Sequence, residues 1–188
     1  MTPGRAALVA LLGGYSELAL TSPTLIESQK LMYFLQEAGE PLRLNYTKHI
    51  YGPYADNLRH VLKLVEGHYL SGYGDGSAAV TEAEPLRLLP GAGEAAEAVL
   101  DAHPETRQRI ARVLQLADGF ETSYGLELLA SVHWISREDS AAALDPDRVV
   151  RDVQSWTTRK GRMFTREHIH RAWQALRDRG WMEVPSLA

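Results

Sequence analysis

Residues 29–76, QKLMYFLQEAGEPLRLNYTKHIYGPYADNLRHVLKLVEGHYLSGYGDG, decide how this chain folds. Apolar side chains recur three and four positions apart over residues 31–38, which predicts a helix that is buried on most sides. Gly39 suits the end of that helix and Pro41 prevents it from resuming. Residues 42–47 then alternate apolar and polar side chains, which predicts a short, half-buried strand.

The least generic part of this stretch is the turn Tyr51-Gly52-Pro53-Tyr54. Pro53 has the fixed φ angle that suits the first turn of a helix, so we expect a helix from Tyr54 to Glu66. The two tyrosines would then flank a rigid corner. They are either half-buried packing residues or part of a binding surface, because aromatic side chains on rigid turns supply contact area at little entropic cost.

The remaining segments read as packing partners for this stretch. Helical periodicity and capping residues predict further helices on both sides of it, and a few short extended segments allow a small sheet. We therefore predict a mainly α (α+β) fold: one compact helical domain over residues 1–188, with a two- or three-stranded β element.

The net charge of the 188-residue chain is −4, and it is unevenly distributed. Residues 81–145 carry −7 and residues 146–188 carry +4, counting Lys and Arg against Asp and Glu. A free-standing nucleic-acid binder usually has a larger basic excess, so the balance argues against that function and suits a basic partner.

The sequence predicts no cofactor, no metal site and no catalytic constellation. Cysteine is absent, which excludes disulfides and thiolate chemistry and fits a cytoplasmic location. His168 and His170 lie two positions apart on a predicted helix, so they face different directions and cannot share a metal ion. The glycines of residues 72–76 lack the lysine and the following helix of a phosphate-binding loop. We also expect no membrane-spanning segment.

The run from Lys30 to Gly76 resembles the carboxy-terminal, toxin-binding region of the DarG macrodomain antitoxins, from the DarT/DarG toxin–antitoxin system. This resemblance is dense over about a quarter of the chain and weak outside it. The residues Lys30-Leu31-Met32-Tyr33-Phe34, followed by Gly52-Pro53, are also faintly similar to the Panacea-type antitoxin domains.

The resemblance implies an antitoxin domain that neutralises a DarT-like DNA ADP-ribosyltransferase toxin by occupying its single-stranded DNA groove. In full-length members an amino-terminal macrodomain removes ADP-ribose from DNA, and no macrodomain sequence precedes Met1. We therefore expect the chain to be non-catalytic by itself. Its expected partners are the toxin and the macrodomain of a full-length chain.

Carboxylates and aromatic side chains would mimic a DNA strand in such a groove. We predict that the toxin contacts the tyrosine corner, the glycine-rich segment after it and the acidic middle of the chain. The predicted partner-binding residues are Tyr51, Pro53, Tyr54, Asp56, Tyr73, Asp75, Glu82, Glu84, Glu94 and Glu97.

The basic end of the chain supports an alternative function. Residues 159–162, Arg-Lys-Gly-Arg, precede a predicted helix over residues 165–179, which could belong to a winged-helix-like DNA-binding autorepressor. Glu167 and Asp178 interrupt the arginines of that helix, however, which favours a solvated face and disfavours direct nucleic-acid binding.

Overall fold

The computed structural model describes residues 1–79 and 83–182. Helices account for most of this part, and four short strands form two antiparallel pairs. Glu82, one of the predicted partner-binding residues, lies outside the described residues. In chain order the elements are α1 (Pro3–Ala19), α2 (Leu25–Glu37), β1 (Tyr46–His49), β2 (Gly52–Ala55), α3 (Asp56–Val65), β3 (Leu70–Ser71), β4 (Arg87–Leu88), α4 (Ala92–Leu100), α5 (Pro104–Ala117), α6 (Ser123–Glu138), α7 (Ser140–Leu144), α8 (Pro146–Trp156), α9 (Thr158–Met163) and α10 (Arg166–Asp178).

The centre of the core is α2, the apolar helix of the organising stretch. It begins with a capping box: the Thr24 side chain accepts a hydrogen bond from the Glu27 amide at 3.2 Å, and Glu27 Oε2 accepts one from the Thr24 amide at 2.6 Å. Every residue from Glu27 to Leu35 is buried, and α2 packs against α1, α5, α6 and β2. The prediction of a helix buried on most sides is confirmed.

Two glutamines of α2 determine where the neighbouring strands begin and end. The Gln36 side chain bonds both the amide and the carbonyl of Leu44, at 2.7 and 2.9 Å. These contacts take the place of a strand partner, so β1 begins at Tyr46 and the strand predicted over residues 42–47 is only partly correct.

The second glutamine, Gln29, acts in the same way on the far side of the hairpin. Its side chain bonds the amide and the carbonyl of Ala55 at 3.1 and 3.0 Å. Residues 52–55 are therefore held extended as β2, paired with β1 from Tyr46↔Ala55 to His49↔Gly52. The helix predicted from Tyr54 begins two residues later, at Asp56.

The other elements close around α2 and α6. Almost all of α6 is buried, and it packs against α2, α8, α10 and β2. On α3 the apolar residues Leu58, Leu62 and Val65 are buried, and Val61 is half-buried. The predicted mainly α (α+β) fold class is confirmed, with two two-stranded sheets instead of one β element. In the described part of the chain, no helix is both long and apolar enough to cross a membrane.

Candidate functional site

A buried ionic cluster lies where α2, α6, α9 and the β1–β2 hairpin meet. The Glu127 side chain, only 2% exposed, accepts hydrogen bonds from Arg159 Nη1 at 2.7 Å, Arg159 Nη2 at 3.1 Å and Lys160 Nζ at 2.5 Å. The Arg159 contacts form a two-pronged pair, which fixes the plane of the guanidinium as well as its position. Lys160 is fully buried, so its ammonium depends on Glu127 for compensation.

A third buried basic side chain, Lys30 on α2, lies within reach of the charges of Glu127 and Lys160. Its Nζ donates to the carbonyl oxygen of Pro53 at 2.6 Å, and the side chain is fully buried. Burial lowers the pKa of Lys30 to about 7, because the neutral amine is easier to desolvate than the ammonium. The negative charge of Glu127 opposes this shift, and the positive charge of Lys160 adds to it.

The same competition acts on the other two buried groups. Burial lowers the pKa of Lys160, although Glu127 works against it. Burial alone would raise the pKa of Glu127, but hydrogen bonds from Arg159 and the charge of Lys160 outweigh burial, and the net shift is downward. One carboxylate therefore bonds two cationic side chains, Arg159 and Lys160, and its charge also acts on Lys30. Perturbed charged groups held together in this way are typical of functional sites.

The turn of the hairpin closes over this cluster. Gly52 has a φ of +87°, and a side chain there would place its Cβ 3.1 Å from Ser131 Oγ and 3.6 Å from Lys30 Cε. Ser131 Oγ and the Tyr54 hydroxyl are both buried without a hydrogen-bond partner among the described residues. Glycine is thus favoured by conformation and by space, and the Ser131 hydroxyl beneath it lacks a hydrogen-bond partner among the described residues.

Two exposed cations extend the buried cluster to the surface, each over an aromatic ring. Arg159 lies 4.9 Å from the centre of the Tyr51 ring, and Lys48 Nζ lies 4.6 Å from the centre of the Trp156 ring. Arg162 follows one helical turn after Arg159 on α9. We call Lys48, Tyr51, Trp156, Arg159 and Arg162 the hairpin–α9 surface. Cations that alternate with half-exposed rings suit a ligand that has both negative charge and flat bases.

Of the predicted partner-binding residues at the corner, the structure brings only Tyr51 to this surface. Tyr54 and Tyr73 are each 5% exposed and Pro53 is buried, so these three are packing residues in this conformation. Asp56 is exposed at the first position of α3. A corner with two accessible tyrosines, as the sequence suggested, is therefore not present.

The predicted acidic residues do not join the corner either. Asp75 is exposed and accepts a hydrogen bond from the Ser77 amide at 2.8 Å. Glu84 is exposed before β4, and Glu94 and Glu97 are exposed on α4. This helix packs against α1 and α5, whereas the hairpin packs against α2 and α6. The acidic residues thus lie on elements apart from the tyrosine turn.

Sequence reasoning missed Lys30, Glu127 and Lys160. The available signal was a charge inside an apolar helix: Lys30 precedes Leu-Met-Tyr-Phe-Leu, and Glu127 interrupts Leu-Glu-Leu-Leu-Ala. Charged residues are almost never fully buried unless they are paired. Each such position therefore predicts a buried partner, but the sequence alone does not say which one.

The chain is similar to three known proteins that carry the same name. No protein-family model matches it. A Thermus aquaticus protein named DNA ADP-ribosyl glycohydrolase is 42% identical over 192 residues, which cover 98% of this chain and 51% of that protein. Proteins of the same name from Mycobacterium bovis and Mycobacterium tuberculosis are 38% identical over 150 residues, which cover 77% of this chain and 41% of each relative.

These names correct the function that the sequence predicted. The relatives are named for a glycohydrolase, not for a toxin-binding carboxy-terminal domain. The sequence predicted a non-catalytic, non-enzymatic antitoxin that acts on a DarT-like toxin, with an autorepressor as the alternative. Both predictions of function are therefore wrong. The antitoxin prediction depended on residues 30–76, and the autorepressor alternative depended on residues 159–179. Both patterns describe how these segments fold and do not identify a reaction. The chain spans about half the length of the curated relatives it matches. The match to the Thermus aquaticus protein covers 98% of this chain.

Proposed function

We propose that this chain acts in the hydrolysis of ADP-ribosyl groups from DNA, and that its hairpin–α9 surface holds the DNA strand. The observation that carries the first part is the 42% identity, over 98% of the chain, to a protein named DNA ADP-ribosyl glycohydrolase. Identity spread over the whole length of the chain supports a shared role better than a match confined to one motif.

The second part is supported by the chemistry of the surface. A DNA strand offers phosphates at regular intervals and bases with two flat faces. Lys48 and Arg159 supply positive charge beside Trp156 and Tyr51, so phosphate and base can be bound at neighbouring points. Stacking of one base on an aromatic side chain contributes about 1–3 kcal/mol and depends little on sequence.

The buried cluster explains why this surface would be ready to bind. Glu127 holds Arg159 by both prongs of its guanidinium, so little side-chain freedom remains to be lost when a phosphate arrives. Lys160 is fully buried next to the same carboxylate and contributes positive charge from a region that water screens weakly.

This proposal differs from the expectation drawn from overall charge. The net charge of −4 argues against a free-standing nucleic-acid binder, but it averages over the whole chain. Folding places Lys48 and Tyr51 of the hairpin against Trp156 and Arg159, which are more than a hundred positions later in the sequence. A local basic surface forms in a protein that is acidic overall.

The proposal is tested with an ADP-ribosylated single-stranded oligonucleotide. We expect the chain to bind it and to release free ADP-ribose, measured by fluorescence anisotropy and by chromatography respectively. Replacement of Arg159 by glutamine should weaken binding about tenfold, which is about 1.4 kcal/mol. Arg87→Gln is the matched control, because it removes an exposed arginine on β4, away from the hairpin and α9. No release of ADP-ribose, or equal effects of the two substitutions, would contradict the proposal.

A further inference from the structure

A large apolar side chain is exposed at the tip of the β1–β2 hairpin. The strand register ends at the pair His49↔Gly52, so Ile50 and Tyr51 form the two-residue connection between the strands. Ile50 is 50% exposed. Glycine, proline, asparagine, aspartate and serine predominate in turns, and each has a conformational reason to be there that isoleucine lacks. The turn itself therefore gives no reason for an isoleucine at this position.

Packing does not account for Ile50 either. The residues of β2 are buried, and this strand packs against α2 and α6, whereas half of Ile50 remains in solvent. The other exposed large apolar residues in the described part of the chain are Leu20, Leu64 and Leu144, and none of them belongs to the hairpin or to α9. A residue that departs from the local rules without a gain in packing is a candidate for function.

The turn that carries Ile50 is anchored to the body of the protein. After the turn, the carbonyl oxygen of Pro53 accepts a hydrogen bond from the buried Lys30 Nζ at 2.6 Å. Before the turn, the His49 ring lies 5.0 Å from the ring of the buried Tyr54. Little conformational freedom is therefore left to be lost when the tip of the hairpin contacts a ligand.

Ile50 lies between the two residues through which the hairpin contributes to the hairpin–α9 surface. Lys48, two positions earlier, lies over the Trp156 ring, and the ring of Tyr51, the next residue, lies under the Arg159 guanidinium. Two residues of extended chain span at most about 7 Å, so a strand bound at Lys48 passes close to Ile50. Neighbouring bases in a stacked strand are only about 3.4 Å apart, so an aliphatic side chain between them must open the stack.

We propose that Ile50 is a wedge that enters between two neighbouring bases of the bound strand and unstacks them, while Lys48 and Arg159 hold the phosphates beside the opened step. Isoleucine, leucine, phenylalanine and methionine side chains act in this way in proteins that kink DNA. Opening the stack exposes the face and the edges of a base, which gives access to a group attached to it. This inference rests on the proposed function for the presence of a DNA strand on this surface.

Fluorescence anisotropy with two unmodified single strands of equal length, oligo-dT and oligo-dA, tests the wedge. Adenine strands stack strongly and thymine strands stack weakly, so insertion of a wedge costs more free energy in oligo-dA. We expect the chain to bind oligo-dT about tenfold more tightly than oligo-dA. Ile50→Ala should remove most of this preference, because a methyl group is too short to separate two bases.

Two further variants serve as controls. Ile50→Leu keeps an apolar side chain of the same size and should keep the preference for oligo-dT. Leu64→Ala removes an exposed leucine from α3, outside the hairpin, and should keep the preference as well. Urea unfolding of each variant checks that the fold is intact, and light scattering measures the oligomeric state.

The outcomes separate this inference from the proposed function. Ile50 is not a wedge if the natural chain shows no preference, if Ile50→Ala keeps it as Leu64→Ala does, or if Ile50→Leu also loses it. A chain that binds neither strand contradicts both the wedge and the DNA surface. Loss of a dimer in Ile50→Ala would assign Ile50 to an interface between copies and overturn the wedge. A preference for oligo-dT that depends on Ile50, in a chain that releases no ADP-ribose from DNA, would support the wedge and contradict the proposed hydrolysis.

Discussion

Lys30 and Pro53 are joined by a 2.6 Å hydrogen bond from the buried Lys30 Nζ to the proline carbonyl oxygen, which connects the central helix to the turn of the β1–β2 hairpin. The Pro53 carbonyl oxygen accepts this bond from the side chain of α2. The bond gives the buried lysine nitrogen an acceptor inside an apolar helix, and it makes the hairpin depend on the protonation state of one lysine.

The first prediction concerns the pH dependence of stability. The pKa of Lys30 is about 7 in the fold against an ordinary value of 10.5, so between these pH values the unfolded chain holds a proton that the folded chain lacks. Stability from this group must then rise with pH from about 7 towards 10.5 and be flat below that window. Lys30→Met should remove this rise, since methionine does not titrate.

The measurement is urea unfolding at several pH values from about 6.5 to 9.5, below the ordinary titration range of tyrosine. Lys63→Met, on the exposed side of α3, is the control and should keep the rise seen in the natural chain. If the free energy of unfolding of Lys30→Met rises with pH as steeply as that of the control, Lys30 is not buried in its neutral form.

The second prediction concerns Glu127. Glu127→Gln leaves Arg159 and the buried ammonium of Lys160 without their carboxylate, so we expect a loss of about 3–5 kcal/mol in the free energy of unfolding. Glu138→Gln is the control, because the Glu138 side chain is 49% exposed and its contact with Lys48 at 3.7 Å should contribute about 0–1 kcal/mol.

A double variant sharpens this test. Lys160→Met in the Glu127→Gln background removes the uncompensated ammonium, so it should recover part of the lost stability. If the losses in the free energy of unfolding caused by Glu127→Gln and Lys160→Met simply add, the two residues are not coupled. A loss from Glu127→Gln no larger than that from Glu138→Gln would lead to the same conclusion.

The helices of the organising stretch could be predicted from sequence because their apolar periodicity is local. The bounds of the strands could not, because they depend on Gln29 and Gln36, whose side chains bond the backbone at Ala55 and Leu44. Neither glutamine differs from a surface residue until the hairpin lies against α2.

The candidate site was harder to predict for the same reason. Glu127, Arg159 and Lys30 come from three distant segments, and only the packed structure shows that Glu127 bonds Arg159 and that its charge acts on Lys30. Tyr51 was predicted from its rigid turn and lies at the surface, whereas Tyr54 is drawn inward because β2 continues to Ala55.

A third prediction concerns the turn itself. Gly52→Ala and Gly67→Ala both place alanine at a positive φ, +87° and +73°, which costs about 1–2 kcal/mol. A Cβ at Gly67 meets nothing within 4 Å, whereas one at Gly52 lies 3.1 Å from Ser131 Oγ. Gly52→Ala should therefore destabilise the protein more than Gly67→Ala does, as measured by thermal unfolding.

Ser131→Ala provides the check on that interpretation. Removal of an unpartnered buried hydroxyl should itself be nearly neutral, and it should recover part of the stability lost in Gly52→Ala. No recovery in the double variant would mean that Ser131 is not what limits the space beneath the turn.

The central claim is that the hairpin–α9 surface holds a DNA strand by its phosphates, and the salt dependence of oligonucleotide binding tests it most directly. For a single strand, the slope of log K against log salt falls by about 0.7 for each phosphate contact that is removed. Replacing Lys48 and Arg159 together by glutamine should therefore reduce the slope by about 1.4. An unchanged slope, with the fold intact, would contradict the account.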